Sequence, residues 1–127
     1  MTLRIIKPPP YHPKRQAKKE GDYLAFLHCL PCVVSGVYGV QAAHVSFAAP
    51  EYGAYGRGKG SKASDRWALP LSPEEHARQH AMNEQEYWRQ AGIDPHMLAL
   101  KLWGLYSEMG EDAAPFAVDL IRKAGAR

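Results

Sequence analysis

His76 and His80, in the run LSPEEHARQH, stand four residues apart. On a helix that spacing puts both imidazoles on one face, about one turn apart. There they could share a metal ion, or they could be two surface residues with no joint role. His44 lies earlier, in QAAHVSF, at the end of a strand-like stretch. An imidazole titrates near neutral pH, so a strand histidine set against a metal-holding helix pair could take a proton from water. The ion would bind a phosphate oxygen and stabilise the leaving alkoxide. The chemistry this predicts is hydrolysis of a phosphodiester. A lone His44 could also be structural. A zinc-protease reading fails, because HARQH has Ala77 where His-Glu-x-x-His needs its glutamate.

The elements that must position these residues are readable from pattern. Residues 1–20 contain Pro8, Pro9, Pro10 and Pro13, which exclude a helix and predict an extended arm. From about Gln16 to Leu30 the apolar positions Tyr23, Leu24, Phe26, Leu27 and Leu30 predict a helix that Pro31 ends. CVVSGVYGVQAAHVSF reads as a hairpin, with Val33, Val34, Val37, Tyr38 and Val40 as strand formers and Gly36 and Gly39 as turn residues. Residues 48–64 form a long glycine-rich loop, and DRWALPL supplies a second strand. A helix then starts at Ser72 as N-cap, with Pro73 at its first position and Glu75 at the capping-box position. Further helices are expected over Glu84 to Gln90, from Asp94 and Pro95 through DPHMLALKLWGLY, and over APFAVDLIRKAG, ending at Gly125. The order hairpin, loop, strand, histidine helix predicts a compact α+β fold built on a β-β-α unit with helices behind it.

The charge is divided. Residues 1–70 carry ten Lys and Arg against four Asp and Glu, while residues 71–127 carry six against nine. A basic half joined to an acidic half suggests a polyanion partner for the first half; the alternative is a solvated basic tail. No apolar run is long enough to span a bilayer, and the N-terminal stretch lacks the apolar core of a secretory signal, so a cytosolic protein with no membrane partner is expected. Cys29 and Cys32 are too close to staple a fold and read as thiols or metal ligands.

The linked series LPCVVSG, VQAAHVSF and YGRGKGSKASDRWALPLSPEEHARQH resembles the HNH, or His-Me finger, endonucleases. It is most similar to a phage-associated branch that includes the recombination enhancement nuclease Ref. That branch reads roughly Leu-Pro-Cys-x-x-Cys-Gly, Ala-Ala-His, a Gly-x-Gly-x-Lys-x-Ser-Asp segment and Pro-Leu-Cys-x-x-His-His-x-x-x-His. The resemblance spans about residues 30–105 and includes GIDPHMLALKLW.

The resemblance implies a metal-dependent DNA endonuclease with a ββα-metal unit, His44 as general base, and His76 and His80 as ligands of a divalent ion. Mg or Mn is the expected cofactor, with Zn or Ni as occupants in a crystal. It further implies a phage- or prophage-encoded protein acting in a bacterial cytoplasm, with a recombinase filament as a further partner. A basic arm over 1–20, an HNH-like nuclease core over 21–92, and C-terminal helices over 93–127 packing on that core complete the expected organisation. A catalytically inactive DNA-binding accessory protein of the same fold is the alternative.

The sequence also departs from that branch. Many HNH proteins hold the unit with a structural zinc. Here Cys32 pairs with Ser35, and Ser72 and Glu75 stand where the second ligand pair is expected. Serine is a poor zinc ligand, so no structural zinc is expected and Cys32 is a remnant. The middle position of the HNH name falls on Trp67; Asp65, two residues earlier in KASDRW, is the nearest group that could orient His44 or help the metal, the alternative being a turn residue.

The basic residues are expected to hold DNA backbone rather than base edges. The arm offers Lys14, Arg15, Lys18 and Lys19, and the loop offers Arg57, Lys59, Lys62 and Arg66. Neither segment has the regular helix that major-groove reading usually requires. Replacing Lys59 and Lys62 together by Ala should flatten the log–log salt slope of duplex binding by roughly two, at about 0.9 per phosphate contact. The check is a salt titration on two unrelated duplexes without a cleaving metal. An unchanged slope, or a loss confined to one duplex, would remove the loop from the DNA interface.

Overall fold

The computed structural model describes residues 21–55 and 64–125. It is a small mixed α+β fold in which a two-stranded antiparallel sheet packs with helices. The first helix, α1, is described over 21–27; residues 16–20 of the expected span lie outside the described residues. Tyr23, Phe26, Leu27 and Leu30 recur at helical spacing and are all buried. Tighter bonds from Cys29 N to Phe26 O and from Leu30 N to Leu27 O close the helix end ahead of Pro31.

Residues 31–40 correct the expected hairpin. They form successive turns instead of a strand. Gly36 and Gly39 both take positive φ, 79° and 88°, so Val37 and Tyr38 between them have no extended run in which to pair. Cys32 N donates to Val37 O at 2.9 Å and Gly36 N to Cys32 O at 2.9 Å, which ties the segment into a knuckle.

Strand β1, Gln41–His44, finds its partner far along the chain in β2, Ala68–Leu71. The antiparallel register sets Gln41 opposite Leu71 and His44 opposite Ala68. Val45 N donates to Trp67 O at 2.9 Å just beyond the last pair. Every residue of β2 is buried, because helix α2 packs on both strands and helix α4 covers β2. Pro70 has no N–H to give, but its carbonyl accepts from Val33 N at 3.0 Å, so the knuckle covers that edge.

The remaining helices start where their caps demand. Ser72 Oγ accepts from Glu75 N at the head of α2, Pro73–Ala81. Asn83 Oδ1 accepts from Glu86 N at the head of α3, Glu84–Ala91. Asp94 Oδ1 accepts from Met97 N at the head of α4, Pro95–Met109. Each cap satisfies an N–H that the first turn leaves open. A 3-10 turn, Gly110–Ala113, leads into α5, Ala114–Ala124. One core joins these elements: Leu69 and Leu71 of β2, Tyr87 and Trp88 of α3, Leu98 and Leu102 of α4, and Ile121 of α5 are all buried. Fully burying each such side chain is worth about 1.5–3 kcal/mol. Among the described residues no helix is long and apolar enough to cross a membrane.

Gly92 ends α3 at φ 73°, and a Cβ added there would meet nothing within 4 Å. Gly92→Ala therefore isolates the backbone cost of the left-handed conformation, about 1–2 kcal/mol. Urea unfolding should show a lower midpoint at unchanged slope. An unchanged midpoint would mean the turn is not held as described.

Candidate active site

Strand pairing brings the first two candidate residues together. His44 ends β1, and Asp65 opens a 3-10 turn, Asp65–Trp67, that leads directly into β2. Trp67 is buried, and its N–H bonds Ser64 O at 2.9 Å, so the turn is anchored on its far side. His44 Nε2 lies 2.7 Å from Asp65 Oδ1, with both side chains part-exposed. An ionised carboxylate only accepts, so His44 Nε2 carries the proton and Nδ1 keeps its lone pair. Asp65 thereby fixes the tautomer and steadies an imidazolium if one forms.

His76 and His80 share one face of α2. Their rings lie 4.8 Å apart, and their Nε2 atoms are 3.1 Å apart. Metal–nitrogen bonds of about 2.0–2.1 Å separate two neighbouring ligand nitrogens by roughly 2.9–3.4 Å, so this pair is spaced as two ligands of one ion. His76 Nδ1 donates to Gln41 Oε1 at 2.7 Å, which leaves His76 Nε2 as a free lone pair. His80 Nε2–H donates into that lone pair here. Gln41 is a residue that sequence reasoning missed; its place three residues before His44 is the only signal the sequence offers. Burial lowers the pKa of His76 first, and the charges of His80 and His44 lower it further. His44 is thus close enough for its charge to be felt at His76. Among the described residues no three His, Cys, Asp or Glu side chains converge as a ready metal cage. The two helix histidines could supply two nitrogen donors to an ion.

Cys32, Ser35, Ser72 and Glu75 also gather in one place. Cys32 is fully buried, and Ser35 N donates to its Sγ at 3.4 Å. Burial pushes the Cys32 thiol up, but hydrogen bonds from the Ser35 hydroxyl and from the N–H groups of Ser35, Ser72 and Val34 outweigh it, so the thiol titrates below its usual value. Glu75 Oε1 accepts from Tyr87 OH and from Arg78 Nη1, each at 2.7 Å. Burial, then Glu75, then Cys32 push the Tyr87 hydroxyl up, so Cys32, Ser72, Glu75 and Tyr87 belong to one cluster. Hydrogen bonds make the cross-links there.

Of the expected DNA contacts, Lys14, Arg15, Lys18, Lys19, Arg57, Lys59 and Lys62 lie outside the described residues. Arg66 is exposed, with its guanidinium 5.5 Å over the Trp103 ring. That stacking holds the planar group while leaving donors for an anion. An open cavity of about 230 Å³, lined by Ile93, Met97, Leu98 and Leu120, shares no residue with the histidine constellation.

The lowered His76 value has a testable sign. Between that value and the ordinary 6.5 the unfolded chain binds more protons, so this group's contribution to stability is present above about 6.5 and is lost as pH falls through the folded value. An NMR titration should find His76 below 6.5, and His80→Ala should raise it without restoring 6.5, because burial remains. A His76 that titrates at or above 6.5 would contradict the geometry described.

No curated protein and no solved structure matches the chain. A family model described as "Protein of unknown function (DUF968)" matches residues 8–104. That match covers well over half of the chain, and the chain belongs to the DUF968 family.

Proposed function

We propose that this chain is a metal-dependent DNA endonuclease of the HNH type, with β1, β2 and α2 as its ββα-metal unit. The observation that carries the reading is the 2.7 Å His44–Asp65 hydrogen bond on a strand end beside the His76 and His80 pair. His44 Nδ1 accepts a proton from the attacking water. Asp65 keeps Nε2 protonated and stabilises the positive ring as the proton arrives. His76 and His80 would hold the divalent ion, with Gln41 orienting His76. When bound, the ion supplies positive charge to a phosphate oxygen and the leaving oxygen. Two imidazole donors suit a first-row transition ion better than Mg, which prefers oxygen ligands. Arg66, with its guanidinium carbon 5.5 Å from the Trp103 ring centre, offers donors to the phosphate backbone.

The test is cleavage of plasmid DNA with Mn or Ni. His44→Ala should lose ~10²–10⁴-fold in rate while keeping its fold, DNA affinity and metal affinity. His76→Ala and His80→Ala should each weaken metal binding by calorimetry and remove cleavage. Wild-type rates in His44→Ala would sink the assignment. DNA binding by the wild type with no cleavage under any divalent ion would favour the accessory-protein reading instead.

A further inference from the structure

We propose that Gln79 and Glu84 are positioning residues for His44, an assignment that rests on the nuclease reading above. Gln79 is only 4% exposed and is the buried residue of α2. Its Nε2 donates to the backbone carbonyl of His44 at 3.3 Å and to Glu84 Oε2 at 2.9 Å. Glu84, at the first turn of α3, accepts the Ser46 N–H with both carboxylate oxygens, at 3.1 and 3.2 Å. The backbone on both sides of Val45 is therefore gripped from two helices. His44 is the last paired residue of β1, and Val45 N–H still bonds Trp67 O just beyond it, so the grip from Gln79 and Glu84 takes over where the ladder stops and helps to place the imidazole.

The amide orientation follows from its partners. Turned over, Gln79 would aim Oε1 at a carbonyl and a carboxylate, which repel it. In the orientation observed, Oε1 is buried without a partner. A buried acceptor left open is a cost to folding, and an apolar side chain would avoid it. The residue keeps its two donors at that cost, and both donors point to the backbone of His44 or to the carboxylate that holds Ser46. Gln79 also stands at i+3 from His76 and beside His80, so one helix face carries both the metal pair and the grip on the base. A shift of α2 would move the two together.

The experiment compares Glu84→Gln and Gln79→Met with wild type and with His44→Ala. Cleavage of plasmid DNA in Mn gives kcat and KM, calorimetry gives Mn affinity, and NMR gives the Ser46 amide resonance. Both variants should stay folded, lose ten- to about a hundredfold in kcat, and keep KM and Mn affinity within about twofold. The Ser46 amide proton should move upfield in Glu84→Gln, because a carboxylate acceptor has become a neutral amide. Should Gln79→Met fail to fold, Glu84→Gln carries the test alone. Unchanged kcat in the folded variants, with His44→Ala inactive, would overturn the positioning role and leave the nuclease reading standing. A loss shared by kcat, KM and thermal stability would mark a structural contact only and would equally overturn it. Full activity in His44→Ala would end both readings, whatever the Ser46 resonance does.

Discussion

The pairing of β1 with β2 in a register that sets His44 opposite Ala68 is the constraint on which the rest depends. It is a non-local contact, and closing the segment 45–67 carries an entropic cost. Several contacts inside that segment offset it. Trp67 is buried, Ala49 and Ala54 exchange backbone bonds, and the buried His96 of α4 donates Nε2–H to Phe47 O at 2.9 Å. Phe47, Tyr52 and Trp67 pack their rings around that same imidazole. With the segment held so, Asp65 arrives three residues before Ala68 on a turn whose other side is sunk in the core. A one-residue slip would turn His44 to the other face and separate it from Asp65.

Helix α2 is an unusual partner for such a sheet. A helix laid on a sheet ordinarily presents an apolar stripe. Here its buried residue is a glutamine, and its other described positions are part-exposed or exposed. Polar contacts therefore do much of the holding. The geometry of the histidines and the attachment of the helix are consequently one problem rather than two.

The parts of this arrangement that were legible in the sequence are those encoded locally. Ser72 and Asp94 mark helix starts because each side chain accepts an N–H within its own first turn, and Pro73 and Pro95 follow them. The i, i+4 spacing of His76 and His80 needs only the helix to be right. The hairpin misreading has a local cause too. Valine content argued for strands, but Gly36 and Gly39 set two turns too close together for a strand to fit between, and β1 pairs instead with residues beyond the basic loop. Gln41, Gln79 and Glu84 were not legible, because their roles depend on contacts 35 and 38 residues away along the chain. Gln79 stands three residues after His76, yet nothing local distinguishes a buried glutamine from a solvated one.

The cluster around Cys32 completes the account of α2. The head of the helix is fixed by Ser72, which is buried and caps it, and by Glu75, which takes hydrogen bonds from Tyr87 and Arg78. The Cys32 knuckle closes on the same point, with the Ser35 N–H donating to its sulfur and the Ser72 N–H helping to lower the thiol's pKa. One turn further on, Gln79 joins the helix to β1 and to Glu84 of α3. The helix is thus pinned at two places along its length by polar contacts, and His76 falls between them while His80 follows the second. Two pins define the axis of a short helix and also oppose its rotation, since Glu75 and Gln79 lie on one face at i, i+4. That holds two imidazole nitrogens at 3.1 Å without an apolar stripe beneath them.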